Sequence, residues 1–299
     1  MKANAGQNQS HLKEVNFDNA RLNAVGVEVM TLAELRHRVP SDQLAQPERV
    51  SFHIIFIVTQ GSGSHTIDFV DHTLQVGSLV CIRPGQVHRW QLGKLIEGHL
   101  LIFSPVALRS DLVLDDWPTY RQLSAEALTE YCHALLQLSH DTDAFHAHTL
   151  DIALIRQGLG YLLLRLAREH ANQSTVHTSE QGSPSIYRLF SQALETDFRH
   201  TRSVQHFTNK LGYSASTLSR ACLAAEGRTA KTIIDQRVAL EAQRLLAHTN
   251  HNVHLISHQL GFSEPTNFVK FFNRLIGSTP TAFRLQLTRH TNQTDKATT

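Results

Sequence analysis

Residues 253–284 read VHLISHQLGFSEPTNFVKFFNRLIGSTPTAFR. They hold, in order, an apolar-periodic stretch, a glycine, a capping signal and a second apolar-periodic stretch. Leu255, Ile256, Leu260, Phe268, Phe271, Phe272 and Ile276 recur at helical spacing. Gly261 supplies the backbone freedom that a tight turn between two helices requires. Ser263 stands where the second helix should be N-capped, and Pro265 lies just inside its start. The pattern predicts a helix-turn-helix whose second helix turns Glu264, Thr266, Asn267 and Lys270 outward.

The same signals occur once before, in VQHFTNKLGYSASTLSRACLAAEGRTAKTI, where Leu211, Gly212 and Tyr213 precede Leu260, Gly261 and Phe262 by 49 residues. Between Gly227 and Gly277 the offset is 50, which predicts one extra residue at the start of the second copy's recognition helix. Residues 231–247 join the units and carry Ile233, Ile234, Val238, Leu245 and Leu246 at near-helical intervals, as a rigid helical spacer would.

This double unit, the linker pattern Arg237-x-x-x-x-Ala242-x-x-Leu245-Leu246 and the ending LGFSEPTNFVKFFNRLIGSTPTAFR resemble the AraC/XylS family of bacterial transcription regulators, over about the last third of the chain. The resemblance implies double-stranded DNA as partner, with the two recognition helices in successive major grooves over direct-repeat half-sites near a promoter. It further implies RNA polymerase as a second partner, contacted in activation. DNA contacts are expected from Ser214, Ser216, Thr217, Ser219 and Arg220 in the first unit, and from Ser263, Glu264, Thr266, Asn267 and Lys270 in the second. The first recognition helix departs from the pattern: it is poor in long donors, and Ala221-Cys222 replaces the bulkier Phe271-Phe272 pair.

Charge divides along the chain. Residues 184–299 carry fourteen Lys and Arg against seven Asp and Glu, a balance of +7, whereas residues 1–183 carry fourteen against nineteen, a balance of −5. A basic carboxy-terminal part suits phosphate neutralisation. No window of about eighteen apolar residues is available to span a bilayer, so no membrane partner is expected. The polar opening MKANAGQNQSHLKE lacks the apolar run of a secretory signal and reads as an arm. Cys81, Cys132 and Cys222 are odd in number and widely spaced, as reduced thiols in a cytoplasm would be.

Between residues 51 and 103 the period changes. SFHIIFIVTQ, SHTIDFV, SLVCIRP, VHRWQL and GHLLIFS are short strand-like runs punctuated by Gly61, Gly63, Gly77, Pro84 and Gly85. They predict a small jelly-roll barrel. Together, Gly61 to Gly63, Gly77 and the run RPGQVH resemble the cupin-like effector domain at the front of many AraC-type regulators. A metal-dependent cupin needs several imidazoles and a carboxylate converging on one ion. His65-Thr66-Ile67-Asp68 offers one histidine with no Glu at usable spacing, and His88 lacks its partners, so neither metal nor other cofactor is expected. The resemblance instead implies a small-molecule effector near Gln60, Arg83, His88, Trp90, His99 and Leu101. For single residues two roles stay open. Trp90 could stack on a ring or pack in the core, His99 could bind effector or a buried carbonyl, and Arg83 could pair a carboxylate or reach solvent. Gln60 and Leu101 make the site less polar than that of sugar-binding relatives, which favours an aromatic or apolar metabolite.

The expected architecture is α+β. A cupin-like effector and dimerisation domain covers residues 1–170, with strands at about 51–103 and helices at about 120–169. A linker follows at 171–185, then an all-α tandem helix-turn-helix domain at 186–290. Leu150, Leu154, Ile155, Leu159, Leu162, Leu163 and Leu166 form a helix that either covers the sheet or also makes a homodimer seam. Ile186, Leu189, Phe190, Leu194 and Phe198 share one helical face and should pack on the first helix-turn-helix. The function expected is a non-enzymatic, effector-controlled transcription regulator, an activator by family habit. The alternatives are a metal-dependent cupin enzyme fused to a nucleic-acid-binding domain, and a DNA-binding protein whose barrel only dimerises.

Overall fold

The computed structural model describes residues 13–93, 95–108, 117–174 and 183–294. The amino-terminal arm through residue 12 and residues 175–182 of the expected linker lie outside the described residues. Those described form two compact units, residues 13–174 and residues 183–294.

In chain order the first unit contains β1 Lys13–Val15, β2 Val27–Thr31, α1 Leu32–Arg38, α2 Ser41–Leu44, β3 Glu48–Val50, β4 His53–Gln60 and β5 Gly63–Ile67. There follow β6 Val70–Leu74, β7 Ser78–Ile82, β8 Val87–Gln91, β9 Glu97–Phe103, β10 Tyr120–Gln122, α3 Ala125–Asp143 and α4 Thr149–Ser174. The strands form two five-stranded sheets, ordered β1-β3-β8-β5-β6 and β10-β7-β4-β9-β2. All pairings are antiparallel except β1 with β3. This is the two-sheet form of a jelly roll.

The second sheet is covered on both faces, which explains why β4 and β7 read as unbroken apolar runs rather than as alternating ones. On one face Ile54, Phe56, Val58, Val80, Ile82 and Leu100 share a core with Val50, Ile67, Leu74 and Trp90 of the first sheet. On the other face, Ile55, Ile57, Leu79, Cys81, Leu101 and Phe103 pack with Tyr131, Leu135 and Leu138 of α3 and with Ile155, Leu159, Leu162, Leu163 and Leu166 of α4.

Three sequence expectations need correction here. SHTIDFV is not one strand: Asp68 and Phe69 both take positive φ, 47° and 69°, and turn β5 back into β6. Residues 120–122, expected at the start of the helical part, form a strand beside β7. Residues 171–174 and 183–185, expected in the linker, belong to helices.

The second unit is helical: α5 Ser183–Asp197, α6 Val204–Leu211, α7 Ala215–Glu226, α8 Ala230–His248, α9 Val253–Gln259, α10 Pro265–Ile276 and α11 Pro280–Thr294. Phe190, Leu194 and Phe198 join Phe207 of α6 and Leu218 of α7 in one core. Leu189, expected on that face, is instead more than a third exposed. α6–α7 and α9–α10 are the two helix-turn-helix units. Their recognition helices, α7 and α10, each have twelve residues, so the extra residue of the second copy sits in the turn and not in the helix.

The two turn glycines differ in their surroundings. Both have positive φ, 73° at Gly212 and 70° at Gly261. A Cβ at Gly212 would meet nothing within 4 Å, whereas one at Gly261 would come within 2.7 Å of the Arg199 carbonyl oxygen. Gly212→Ala should therefore cost about 1–2 kcal/mol, the left-handed backbone penalty alone. Gly261→Ala should cost clearly more, as read by denaturant unfolding of the full chain; equal losses would contradict the close approach.

Candidate DNA-reading faces and effector site

Each recognition helix is held by a buried stripe that leaves its other face free. In α7 the buried residues are Leu218, Ala221 and Cys222, and Ala215, Ser216, Arg220 and Leu223 are exposed. The Ser214 hydroxyl caps the helix, accepting from the Thr217 N–H at 3.1 Å and bonding the hydroxyls of Ser216 and Thr217 at 2.9 and 2.8 Å. Thr217 and Ser219 are half-buried at the flank. Arg220 is thus the one long donor among the expected residues of this head.

In α10 the buried stripe is Phe268, Phe271 and Phe272. The residue at the N-cap is Glu264 rather than Ser263, with no side-chain capping bond, and Pro265 occupies the first turn. Ser263, Glu264, Thr266, Asn267 and Lys270 are all exposed, as expected. Asn273 and Arg274 extend the exposed face by another turn. Sequence reasoning passed over Arg274, although its position four residues after Lys270 puts it on the same side.

A charged hub fixes this second head to α8. The Asp235 carboxylate is buried and accepts from Lys231 Nζ at 2.6 Å and Arg274 Nη2 at 3.1 Å. Arg202 lies 3.5 Å from the centre of the Phe262 ring and donates to the Leu260 carbonyl at 2.8 Å, gripping the turn between α9 and α10. Farther along α8, buried Glu241 accepts from Arg199 at 2.9 Å, Arg244 at 3.3 Å and Arg237 at 3.5 Å. Arg237 also lies over the Phe198 ring and pairs with Glu195.

The six expected effector residues are not brought together. Trp90 and His88 point between the two sheets, where the Trp90 ring lies 4.0 Å from that of His65 and edge-on to Phe56. His65 Nε2 and His88 Nδ1 are 3.1 Å apart and share a hydrogen bond. Among the described residues, His65 Nδ1 and His88 Nε2 find no hydrogen-bond partner, and the Glu48 carboxylate stands 3.8 Å from His88 Nε2. Leu101 and His99 lie on the opposite side of the sheet. Leu101 is in the helix-facing core, and His99 pairs in register with Ile57 of that same face. Gln60 is exposed at the end of β4, and Arg83 is half-buried with its guanidinium on the Trp117 carbonyl. Among the described residues, no three His, Cys, Asp or Glu side chains are grouped to hold a metal ion.

Two family models match the chain: a helix-turn-helix domain over residues 207–286 and an AraC-like ligand binding domain over residues 33–164. The chain belongs to the AraC family. It is similar to the HTH-type transcriptional activator RhaS of Pectobacterium atrosepticum, at 24% identity over 82% of this chain and 89% of that protein. RhaS of Klebsiella pneumoniae is 24% identical over 81% of this chain and 88% of its own length. The crystal structure of ToxT from Vibrio cholerae O395 covers 88% of this chain and 97% of its own, at 11% identity and a TM-score of 0.42. As an AraC-family member the chain is a DNA-binding transcription regulator with an amino-terminal ligand-binding domain.

Two outcomes follow from this AraC-type arrangement. If Asn267 makes a bidentate base contact, Asn267→Ala should cost about 1–3 kcal/mol on cognate DNA alone. Lys270→Ala should weaken binding to all sequences and flatten the salt dependence. Gel-shift titrations across salt concentrations check both, and equal losses by both variants on cognate and scrambled DNA would contradict the division.

The second outcome concerns three buried histidines, His65 and His88 between the sheets and His53 on the helix-facing side, stacked on Phe103. Burial holds His88 down to about 4, His53 to about 3 and His65 well below the usual imidazole range. The unfolded chain takes up these protons near pH 6.5 and the folded chain does not. Stability is therefore fully present above about pH 6.5 and falls by roughly 1.4 kcal/mol per pH unit per histidine on acidification towards pH 4. Both tryptophans, Trp90 and Trp117, lie in this unit, so fluorescence-detected unfolding isolates it. An unchanged midpoint between pH 7.5 and pH 5 would contradict the sealed pair.

Proposed function

We propose that this AraC-family chain is a cytoplasmic activator that binds promoter direct repeats as a homodimer, recruits RNA polymerase, and is switched by a small molecule held in its first unit. The observation that carries the reading is the pair of exposed polar faces on α7 and α10, both anchored on the single helix α8. The relatives' name, transcriptional activator, supports the sign of the effect. For the effector, the interior around Phe56, Trp90 and Leu100, with the His65–His88 pair as its polar element, favours an aromatic or apolar metabolite carrying a hydrogen-bonding group.

The outer face of α4 supports self-association. Leu150, Leu154, Tyr161 and Leu164 are exposed, and with Gln157 they follow the alternating four- and three-residue spacing of a coiled-coil seam. Their sheet-facing neighbours Ile155, Leu159, Leu162 and Leu166 are already buried, so the outer stripe is surplus to the intramolecular core.

Capture of genomic fragments by the full-length protein, with Leu154→Glu/Leu164→Glu as the comparison, tests this reading. The parent chain should recover promoter fragments bearing a repeated half-site. The variant should elute as a monomer and bind the same fragments at least tenfold more weakly. Uniform recovery of all fragments would count against promoter regulation, and an unchanged elution volume would count against the α4 seam.

A further inference from the structure

His254 and His258 of α9 are exposed, while Ile256 and Leu260 of the same segment are buried. The two imidazoles are therefore one helical turn apart on the solvent side, and their ring centres are 4.6 Å apart with planes tilted by 54°. Asn252 caps the start of α9, accepting from the Leu255 N–H at 2.8 Å, so the helix that carries both rings is locally anchored.

The tandem repeat supplies its own control. At the same 49-residue offset, α6 carries Gln205 and Asn209, whose amides hydrogen-bond to each other at 2.8 Å. The first helix-turn-helix satisfies this surface turn with a closed amide pair. The second replaces it with two nitrogen ligands at the spacing by which two histidines on one helix face grip a zinc ion.

We propose that His254 and His258 chelate a divalent transition-metal ion of the zinc, nickel and copper group, with water completing its coordination shell. Neutral imidazole suits these ions, whereas magnesium and calcium prefer oxygen donors. With two protein ligands the site is an exchangeable one, not a permanently loaded structural centre. Its occupancy ties together one turn of the first helix of the second helix-turn-helix, so binding stabilises that unit in proportion to free metal over Kd.

The test is isothermal titration of metal-free full-length protein with Zn2+ and Ni2+, alongside thermal unfolding, for the parent chain, His254→Ala, His258→Ala and the double variant His254→Gln/His258→Asn. The double variant rebuilds the amide pair of α6 and keeps the fold comparison valid if an alanine variant is damaged. Expected are saturable binding that raises the unfolding midpoint, at least a tenfold loss of affinity in either alanine variant, abolition in the double variant, and no effect of Mg2+. The chain has twenty histidines, so binding of equal strength in the parent and the double variant would assign the metal to other residues and overturn the proposal. Absence of saturable binding to the parent would overturn it as well.

Discussion

Both DNA-reading heads hang on one helix, and the burial of α8 is the constraint from which their geometry follows. Ile234, Val238, Ala242 and Leu246 are fully buried in the core that takes in α7 on one side and α10 on the other. Each such aliphatic side chain larger than alanine contributes roughly 1.5–3 kcal/mol by leaving water. That apolar stripe fixes distance, but a smooth stripe alone permits sliding and rotation. Asp235 and Glu241 remove that freedom because they are buried ions with partners on other segments, Arg274 of α10 and Arg199. Deleting Arg274 or Arg199, each more than half exposed, strands the buried carboxylate that it serves. Orientation of α10 through Arg274 is thus coupled to the helix that spaces it from α7.

The helical unit was legible in the sequence because three independent signals coincided twice: the 3.6-residue apolar period, a turn glycine and a cap. Legibility failed at single-residue resolution. Ser263 is the better capping residue by chemistry, but the chain runs one residue further before turning helical, and Glu264 followed by Pro265 sets the boundary. The hub at Asp235 was invisible because its partners come from residues up to 39 positions away. No local pattern encodes such a meeting.

In the first unit the sequence revealed strands but not their sides. β4 and β9 are central in a sheet buried on both faces, so alternation carries no information about which residues look towards the other sheet and which towards α3 and α4. Leu101 and His99 were assigned to the interior for that reason and lie on the helix side. The hairpin at Asp68–Phe69 escaped notice because a turn with two consecutive positive φ values usually shows Asn or Gly, and here it has Phe in the second position. In the sequence His65 stands out only as a possible metal ligand. Its partnership with His88 depends on the register of β5 against β8, which pairs Ile67 with His88 and His65 with Trp90.

Through α8 and its charged hub, two unlike heads are held at one fixed separation. The most direct measurement is the affinity of full-length protein for a set of duplexes whose two half-sites, found by footprinting, are moved apart by one base pair at a time. A sharp optimum is expected with half-site centres about one helical turn apart, and a broader optimum for Asp235→Asn. Affinity indifferent to spacing in the parent chain would mean that the heads read DNA independently and that α8 does not fix their separation.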